Sequence, residues 1–480
     1  MRILIFILFV VYFSQSFQIF AVGTYGFTYI DLFLIIFFFT FLKKVFYDGV
    51  KLRFSFNYTF VLLLAFLLLG LISGLTPLFS MDKIYITQFF KSYSHLVFVA
   101  LFAIICFVYE IKPKVWEDVI KMWIVLSLII NIFAIYQLFA RLFDLPFGWL
   151  ELTNQSLTVR GDLDKEIASQ QLALKFRNFY RATSVFSEPS TYAVNNLIMF
   201  AMMISPYFQG KPPYIKSKLF NTIAISFSLT GLFLSFALTA VLGIFLILSL
   251  IFFLYRNERV FKLILYIALG AAFIFISDSI IQKYTKISVY GLFEKRITSI
   301  LETDKRTSEA MIGDSFGERV KTAKMSVAIM ERNPVMGVGL GLTQYDPRFP
   351  YIYIDFSVLA VLAEMGVPAA LVFLALYLGI FYNLYLLLKT KIPDKDDTDI
   401  KRLIGTGIVF FVIIFQTNFL SANSLMTYNH WFFMGMVLSL ISSGNIKKGK
   451  NVYEISLIRK PLKQHINEKI AAYNHSLSKR

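Results

Sequence analysis

The sequence predicts an all-α integral membrane protein with about twelve transmembrane helices and two large outer, periplasmic loops. Three observations predict it. The 480 residues are 57% hydrophobic and only 16% charged, with a mean hydropathy of +0.66, a composition outside that of soluble domains. Apolar runs of about 20 residues recur along the chain, each long enough to cross ~30 Å of hydrocarbon as a helix. Basic residues crowd into alternate connections, as they do on the cytoplasmic side of a polytopic protein. A transmembrane β-barrel is excluded, because no stretch alternates apolar and polar residues over ~10 positions.

In chain order the spans fall at 3–21, 27–42, 58–75, 92–109, 119–140, 190–208, 219–235, 237–255, 262–280, 355–388, 403–421 and 429–443. The first is read as a retained helix and not as a cleaved signal, because no small-x-small site precedes Gly23. Residues 219–255 are too long for one crossing and short for two, so a hairpin of two short helices is expected, broken near SFALTA. The run 355–388 is also long and breaks at Glu364-Met365-Gly366-Val367-Pro368, where Pro removes a donor and Gly relaxes the backbone. It is either one kinked helix or a half-helix followed by a full one.

Charge assigns the sides. The connections 43–57, 110–118, 209–218, 256–262 and 389–402 hold seventeen Lys and Arg, whereas the short loops opposite hold only Lys83 and Lys91. Both termini are therefore expected in the cytoplasm. Residues 1–443 form the polytopic domain and 444–480 a basic cytoplasmic tail with nine Lys and Arg against two Glu. Together with the +17 net charge of the chain, such a tail beside a membrane reads as contact with the lipid bilayer and not with nucleic acid. Cys106 is the sole cysteine and the four histidines are scattered, so neither an internal disulfide nor a metal site is predicted, and no cofactor is implied.

The long connections, 141–189 and 281–354, both fall on the outer face. Loops of this length usually carry function. The second contains GERVKTAKMSVAIMERNP, in which Val320, Ala323, Val327 and Met330 recur at helical spacing before an Asn-Pro stop. An amphipathic helix lying on the outer membrane surface is expected there.

Three constellations carry chemistry. In RNFYRATSVFSEPSTYAVNNL, Arg177 and Arg181 precede Glu188, and Pro189-Ser190 open the next helix. Arginine forks bind phosphate bidentately and stay charged, so this pair suits a pyrophosphate; the bland alternative is snorkelling or pairing with Glu188. Arg319 stands before Pro334-Val-Met-Gly337-Val-Gly339-Leu-Gly341, whose glycines permit close approach of a ligand or merely form a turn. Asp355 and Glu364 are acids at the mouth of, or inside, an apolar helix, where a carboxylate is costly unless paired or used. Nine residues apart, they lie on roughly opposite faces; Asp355 equally suits an N-cap.

Taken in order, RATSVFSEPSTYAV, GERVKTAKMSVAIMERNPVMGVGLG and SVLAVLAEMGVPAALVFL resemble the O-antigen polymerase and O-antigen ligase family. The resemblance implies a GT-C-like, metal-independent glycosyltransferase of the bacterial cytoplasmic (inner) membrane, acting in lipopolysaccharide or other cell-envelope polysaccharide biosynthesis. Such enzymes take an oligosaccharide from undecaprenyl pyrophosphate on the outer face and attach it to a second glycan. It implies pyrophosphate-binding roles for Arg181 and Arg319, with Arg177 beside them. Asp355 becomes the candidate base and Glu188 the next, and a chain-length regulator the expected protein partner. The ligase branch carries His-Asn four residues before a Leu at the last loop's entry to the membrane, where this chain has Asp355-Phe356 before Leu359. That departure favours a polymerase of lipid-linked repeat units over a ligase to lipid A-core. A lipid-linked-oligosaccharide flippase is the alternative of another class, and would carry charges deep in several helices.

Overall fold

The computed structural model describes residues 1–22, 25–80, 82–154, 179–255, 315–348, 356–390, 397–421, 425–447 and 452–456, with 171, 175, 176, 288, 291 and 354 besides. The chain is mostly helical. The helices are α1 (Arg2–Val11), α2 (Tyr29–Leu42), α3 (Tyr58–Ile72), α4 (Leu75–Ser80), α5 (Lys83–Val108), α6 (Pro113–Leu142) and α7 (Pro189–Phe208). They continue with α8 (Lys218–Ser235), α9 (Leu238–Tyr255), α10 (Ser315–Met330), α11 (Ser357–Lys389), α12 (Asp397–Gln416) and α13 (Tyr428–Lys447). Among the described residues six helices are long and apolar enough to cross a membrane: Tyr58–Phe79, Lys83–Val108, Pro113–Leu142, Lys218–Ser235, Ser357–Lys389 and Ile400–Phe419. The span expected at 262–280 lies outside the described residues.

One expected span is corrected. The helix predicted at 3–21 ends in a 3-10 turn at Tyr12–Ser14, and strand β1 (Gln18–Val22) then pairs antiparallel with β2 (Tyr25–Thr28). Apolar length cannot separate a helix from a hairpin; here the Ser14 hydroxyl turns back onto the Val11 carbonyl at 2.7 Å. The chain then reverses into α2 through a capping box, in which Thr28 receives the Asp31 N–H and Asp31 receives the Thr28 N–H.

Helices sort by what surrounds them. On α3, Val61, Leu64, Leu68 and Leu71 form an exposed stripe at helical spacing while Leu63, Phe66 and Leu67 are buried. Both faces are equally apolar, as expected where the outer one meets lipid. In α7 and α13, by contrast, almost every residue is buried. These two are the inner helices, and they carry the polar side chains that lipid would not accept, Asn195 and Asn196 on α7 and His430, Ser439 and Ser442 on α13. Gly231 of α8 lets α6, α7 and α8 close up, since a Cβ there would stand 2.5 Å from Asn131 Oδ1 and 2.7 Å from the Tyr192 hydroxyl.

The two apolar runs of unusual length resolve as hairpin and break. Residues 218–255 fold as α8 and α9, separated at Phe236, whose φ of 44° ends α8 in the left-handed region. In α11, Gly366 has φ 81° and ψ 176°, so a half-helix, 357–365, precedes a full one.

The expected loop sets come together at opposite ends. At one end Arg2 meets Asp118 at 2.5 Å, Arg53 meets Glu110 at 3.4 Å and Arg402 reaches Glu117 at 3.5 Å. Strands β4 (Lys175–Phe176) and β5 (Phe179–Tyr180) pair with one another, while β3 (Leu52–Ser55) pairs at this end with β6 (Val452–Ile455), bringing the start of the basic tail to loop 43–57. At the other end the Asn154 amide donates to the Gln15 carbonyl at 2.7 Å and the Thr76 hydroxyl to the Gly337 carbonyl at 2.9 Å.

Candidate active site

The end opposite the basic connections is built from two anchored segments. The first is 181–188, the turn that feeds α7. Its anchor is Arg141, in the last turn of α6 and buried. The guanidinium donates to the carbonyls of Gly148 at 2.7 Å and Arg181 at 2.8 Å, to Gln171 Oε1 at 2.9 Å and to the Thr183 hydroxyl at 2.7 Å. Its plane lies 4.3 Å from the Trp149 ring centre. Gln171 continues the network, its amide donating to the carbonyls of Ser184 at 2.6 Å and Phe186 at 2.9 Å. A buried cation is tolerable only with its donors satisfied, so Arg141 and the loop carbonyls hold one another in place.

On this support Arg181 Nε donates to the Ser235 carbonyl at 2.9 Å, and the Ala182 N–H to the Leu234 carbonyl at 3.0 Å. The segment therefore caps the C-terminal end of α8, where a cation is favoured by the exposed carbonyls. Seven residues on, Glu188 is the N-cap of α7 with Pro189 at its first turn, and its Oε2 accepts from the Ser190 hydroxyl at 2.9 Å. A carboxylate at a helix N-terminus is likewise in the favourable field.

The second segment is the glycine-rich turn after α10. It docks backbone to backbone on the break in α11: the N–H of Val338 donates to the Ala363 carbonyl at 3.0 Å, that of Gly339 to the Glu364 carbonyl at 2.9 Å, and that of Val367 to the Pro334 carbonyl at 2.7 Å. A Cβ on Gly337 would lie 2.3 Å from the Glu364 carbonyl carbon, and one on Gly366 2.3 Å from the Val335 oxygen. The Glu364 side chain clamps the same turn, accepting the Thr343 hydroxyl at 2.9 Å and the N–H groups of Gly341 and Thr343. Between the two possibilities left by the sequence, the geometry selects a packing role for the glycines. Beyond them Arg348 donates to Asp346 through Nε and Nη2, both at 3.2 Å, and to the Ala328 carbonyl of α10 at 3.0 Å. Burial alone would raise the Asp346 carboxyl, but these bonds and the Arg348 charge outweigh it and hold the group below its ordinary range.

The predicted helix in the second outer loop is present as α10, and the apolar stripe expected to meet the membrane surface is on its exposed side. Thr322, Ser326 and Ile329 are buried, while Val320 and Val327 of the expected stripe are exposed. The reason is local: the Ser326 hydroxyl is satisfied within its own helix by the Thr322 carbonyl at 2.7 Å, which allows its burial on the face where Ile329 packs against Ala360 and Ala363 of α11. Arg319 lies on α10 with its side chain outside the described residues, and Arg177 and Asp355 lie outside them altogether. Arg181 and Glu188 are thus placed at the two ends of one anchored turn. Sequence reasoning missed Arg141, Gln171 and Trp149, whose signal is only that a lone Arg ends an apolar helix.

Compared with known families, residues 223–374 match the family model described as O-antigen ligase. The matched stretch runs from within α8 through α10 and the glycine turn into α11, so it contains Arg319, Asp355 and Glu364; Arg181 and Glu188 precede it. The family resemblance carried by the sequence motifs is borne out over that stretch. A search of curated proteins found no match.

Proposed function

We propose that this chain, which carries an O-antigen ligase family domain over residues 223–374, is a membrane glycosyltransferase that polymerises undecaprenyl-pyrophosphate-linked oligosaccharide repeat units into a surface polysaccharide. The reaction takes place on the outer face of the cytoplasmic membrane, both termini lie in the cytoplasm, and a chain-length regulator acts beside the enzyme. The family match carries the proposal. The choice of polymerase rests on Asp355-Phe356 standing where ligases have His-Asn.

Negative charge develops on the pyrophosphate as the bond from the anomeric carbon to its oxygen breaks, so cations are needed there more than a protein nucleophile. Arg181 and Arg319, with Arg177, supply them. The acceptor hydroxyl forms the new bond from the opposite face, and Asp355 or Glu188 takes its proton. Supporting this, Arg181 stands on a turn fixed by a buried arginine, and pre-set positioning is what electrostatic catalysis requires. The description of the matched family favours a second reading, ligation of finished glycan to lipid A-core.

The test is the length distribution of surface polysaccharide in cells lacking their own copy, complemented with the native chain, Arg181→Ala or Arg319→Ala at equal membrane levels. A polymerase leaves single repeats on deletion, and only the native chain restores a ladder. Full-length polymer left on the lipid carrier establishes a ligase instead, and repeats trapped on the cytoplasmic face overturn both readings in favour of a flippase.

A further inference from the structure

A second site lies at the opposite end of the bundle, far from these loops. Between α1 and the start of α6 there is an open cavity of about 550 Å³, the size range of small-molecule sites. Its wall is apolar, formed by Ile3 and Phe6 of α1 and by Met122, Val125 and Leu126 of α6. Its rim is ionic, with Arg2, Asp118 and Lys121 at the mouth.

The rim charges do not cancel. Asp118 is shared by Arg2 at 2.5 Å and Lys114 at 3.4 Å, while Glu117 is shared by Lys114 at 3.4 Å, Lys121 at 2.5 Å and Arg402 at 3.5 Å. Of these groups the cavity itself is lined by two cations, Arg2 and Lys121, and one carboxylate, Asp118, so among the described residues the rim keeps a positive balance. The Arg2 and Lys121 side chains are 65% and 35% exposed against 25% for Asp118, so the outward-facing part of the rim is the positive part. An open apolar slot beside a cationic rim, at the end of the bundle where the basic connections meet, matches a molecule with an acyl chain and an anionic head.

We propose that this cavity is a binding site for an anionic phospholipid of the leaflet at the basic end of the bundle, with one acyl chain along Phe6 and Val125 and the phosphate held by Arg2 and Lys121. Neither group belongs to the transfer site, so the lipid acts on assembly or stability of the α1–α6 pair and not on the reacting sugar.

The experiment is native mass spectrometry of the full chain released from nanodiscs containing phosphatidylglycerol and phosphatidylcholine in equal amounts. One phosphatidylglycerol per chain is expected to survive activation that strips phosphatidylcholine. Arg2→Gln with Lys121→Gln is expected to weaken that adduct at least tenfold, and Val125→Trp, which fills the slot and leaves the cations in place, to abolish it. Each variant is first required to elute as a single monodisperse species. Soluble glycerol 3-phosphate should not displace the adduct, because a headgroup alone lacks the acyl contacts. Equal retention of both lipids, retention unchanged in either variant, displacement by glycerol 3-phosphate, or a second copy of the chain found in place of the lipid would each overturn the proposal.

Discussion

At the scale of single residues, the glycines are the sharpest determinants. Gly337 combines a φ of 68° with a position where any Cβ overlaps the Glu364 backbone. Left-handed backbone costs an ordinary residue ~1–2 kcal/mol, and overlap with backbone atoms cannot be relieved by turning a side chain. Gly407 sits within α12, and the nearest atom to its Cβ would be Leu440 Cδ1 at 3.4 Å, ordinary contact. Gly337→Ala is therefore expected to lower stability by more than ~2 kcal/mol and to abolish polymer formation, whereas Gly407→Ala leaves both nearly unchanged. Thermal unfolding of the purified pair in one detergent, together with their glycan ladders, checks this; equal melting points would remove the docking role given to the turn.

Arg141 is the counterpart among charged residues. Its four acceptors lie on Gly148, Gln171, Arg181 and Thr183, so replacing it takes a donor from the Arg181 carbonyl and the Thr183 hydroxyl and frees Gln171, which holds the Ser184 and Phe186 carbonyls. Arg141→Ala is expected to cost ~3 kcal/mol and to increase hydrogen exchange at Ala182 and Phe186. Arg141→Lys should recover little, because one ammonium cannot span the fork. Unchanged exchange in both variants would show that the turn is held by other contacts.

At the scale of elements, what the sequence revealed depended on whether the information was local. Apolar length fixed α3, α8, α9 and α11 to within a few residues, and the strain-relieving residues around Gly366 marked the break in α11. The helix of the second outer loop was legible from its period and its Asn-Pro stop, but not its inner face, because burial of Ser326 depends on a bond made only once the helix exists. Where apolar character was the sole signal it misled: residues 18–22 pair as a strand with 25–28, a choice made by the partner strand. At the candidate site, Pro189 announced the N-cap at Glu188, while the partnership of the glycine turn with Glu364 spans 27 residues or so and became visible only in three dimensions.

The junction between α10 and the glycine turn also carries a pH dependence. The Asp346 carboxyl is held below its ordinary value in the folded chain, so the stabilisation it gives is complete above the unfolded value of ~3.9 and is lost as pH falls through the lower, folded value. The amides of Asp346 and Arg348, corrected for intrinsic exchange rates, are expected to keep constant protection down to about pH 4 and to lose it below. Arg348→Gln removes the lowering cause, so its protection should begin to fail at higher pH than in the native chain. Coincident profiles for the two proteins would refute the clamp.

At the scale of the whole molecule, the two-ended distribution of contacts makes a claim about sidedness that the charge pattern makes independently. Strand β6 cannot pair with β3 unless residues 452–455 share an end with loop 43–57, and Arg402 cannot reach both Glu117 and the Pro212 carbonyl unless three basic connections meet there. Leu145 belongs to the turn held by Arg141, at the opposite end. The basic end faces the cytoplasm if the excess of Lys and Arg governs insertion. Cys106 is buried, so single cysteines placed in a Cys106→Ala background report position without interference. With a membrane-impermeant maleimide, Leu145→Cys is expected to react in cells whose outer membrane alone has been opened. Lys216→Cys and Glu454→Cys are expected to react only after the inner membrane is permeabilised, and together. Reaction of Glu454→Cys with Leu145→Cys in intact inner membranes would contradict the end assigned by the β3–β6 pairing, whereas reversal of all three would keep the fold and invert its orientation, moving the anchored loops away from any donor presented on the outer face.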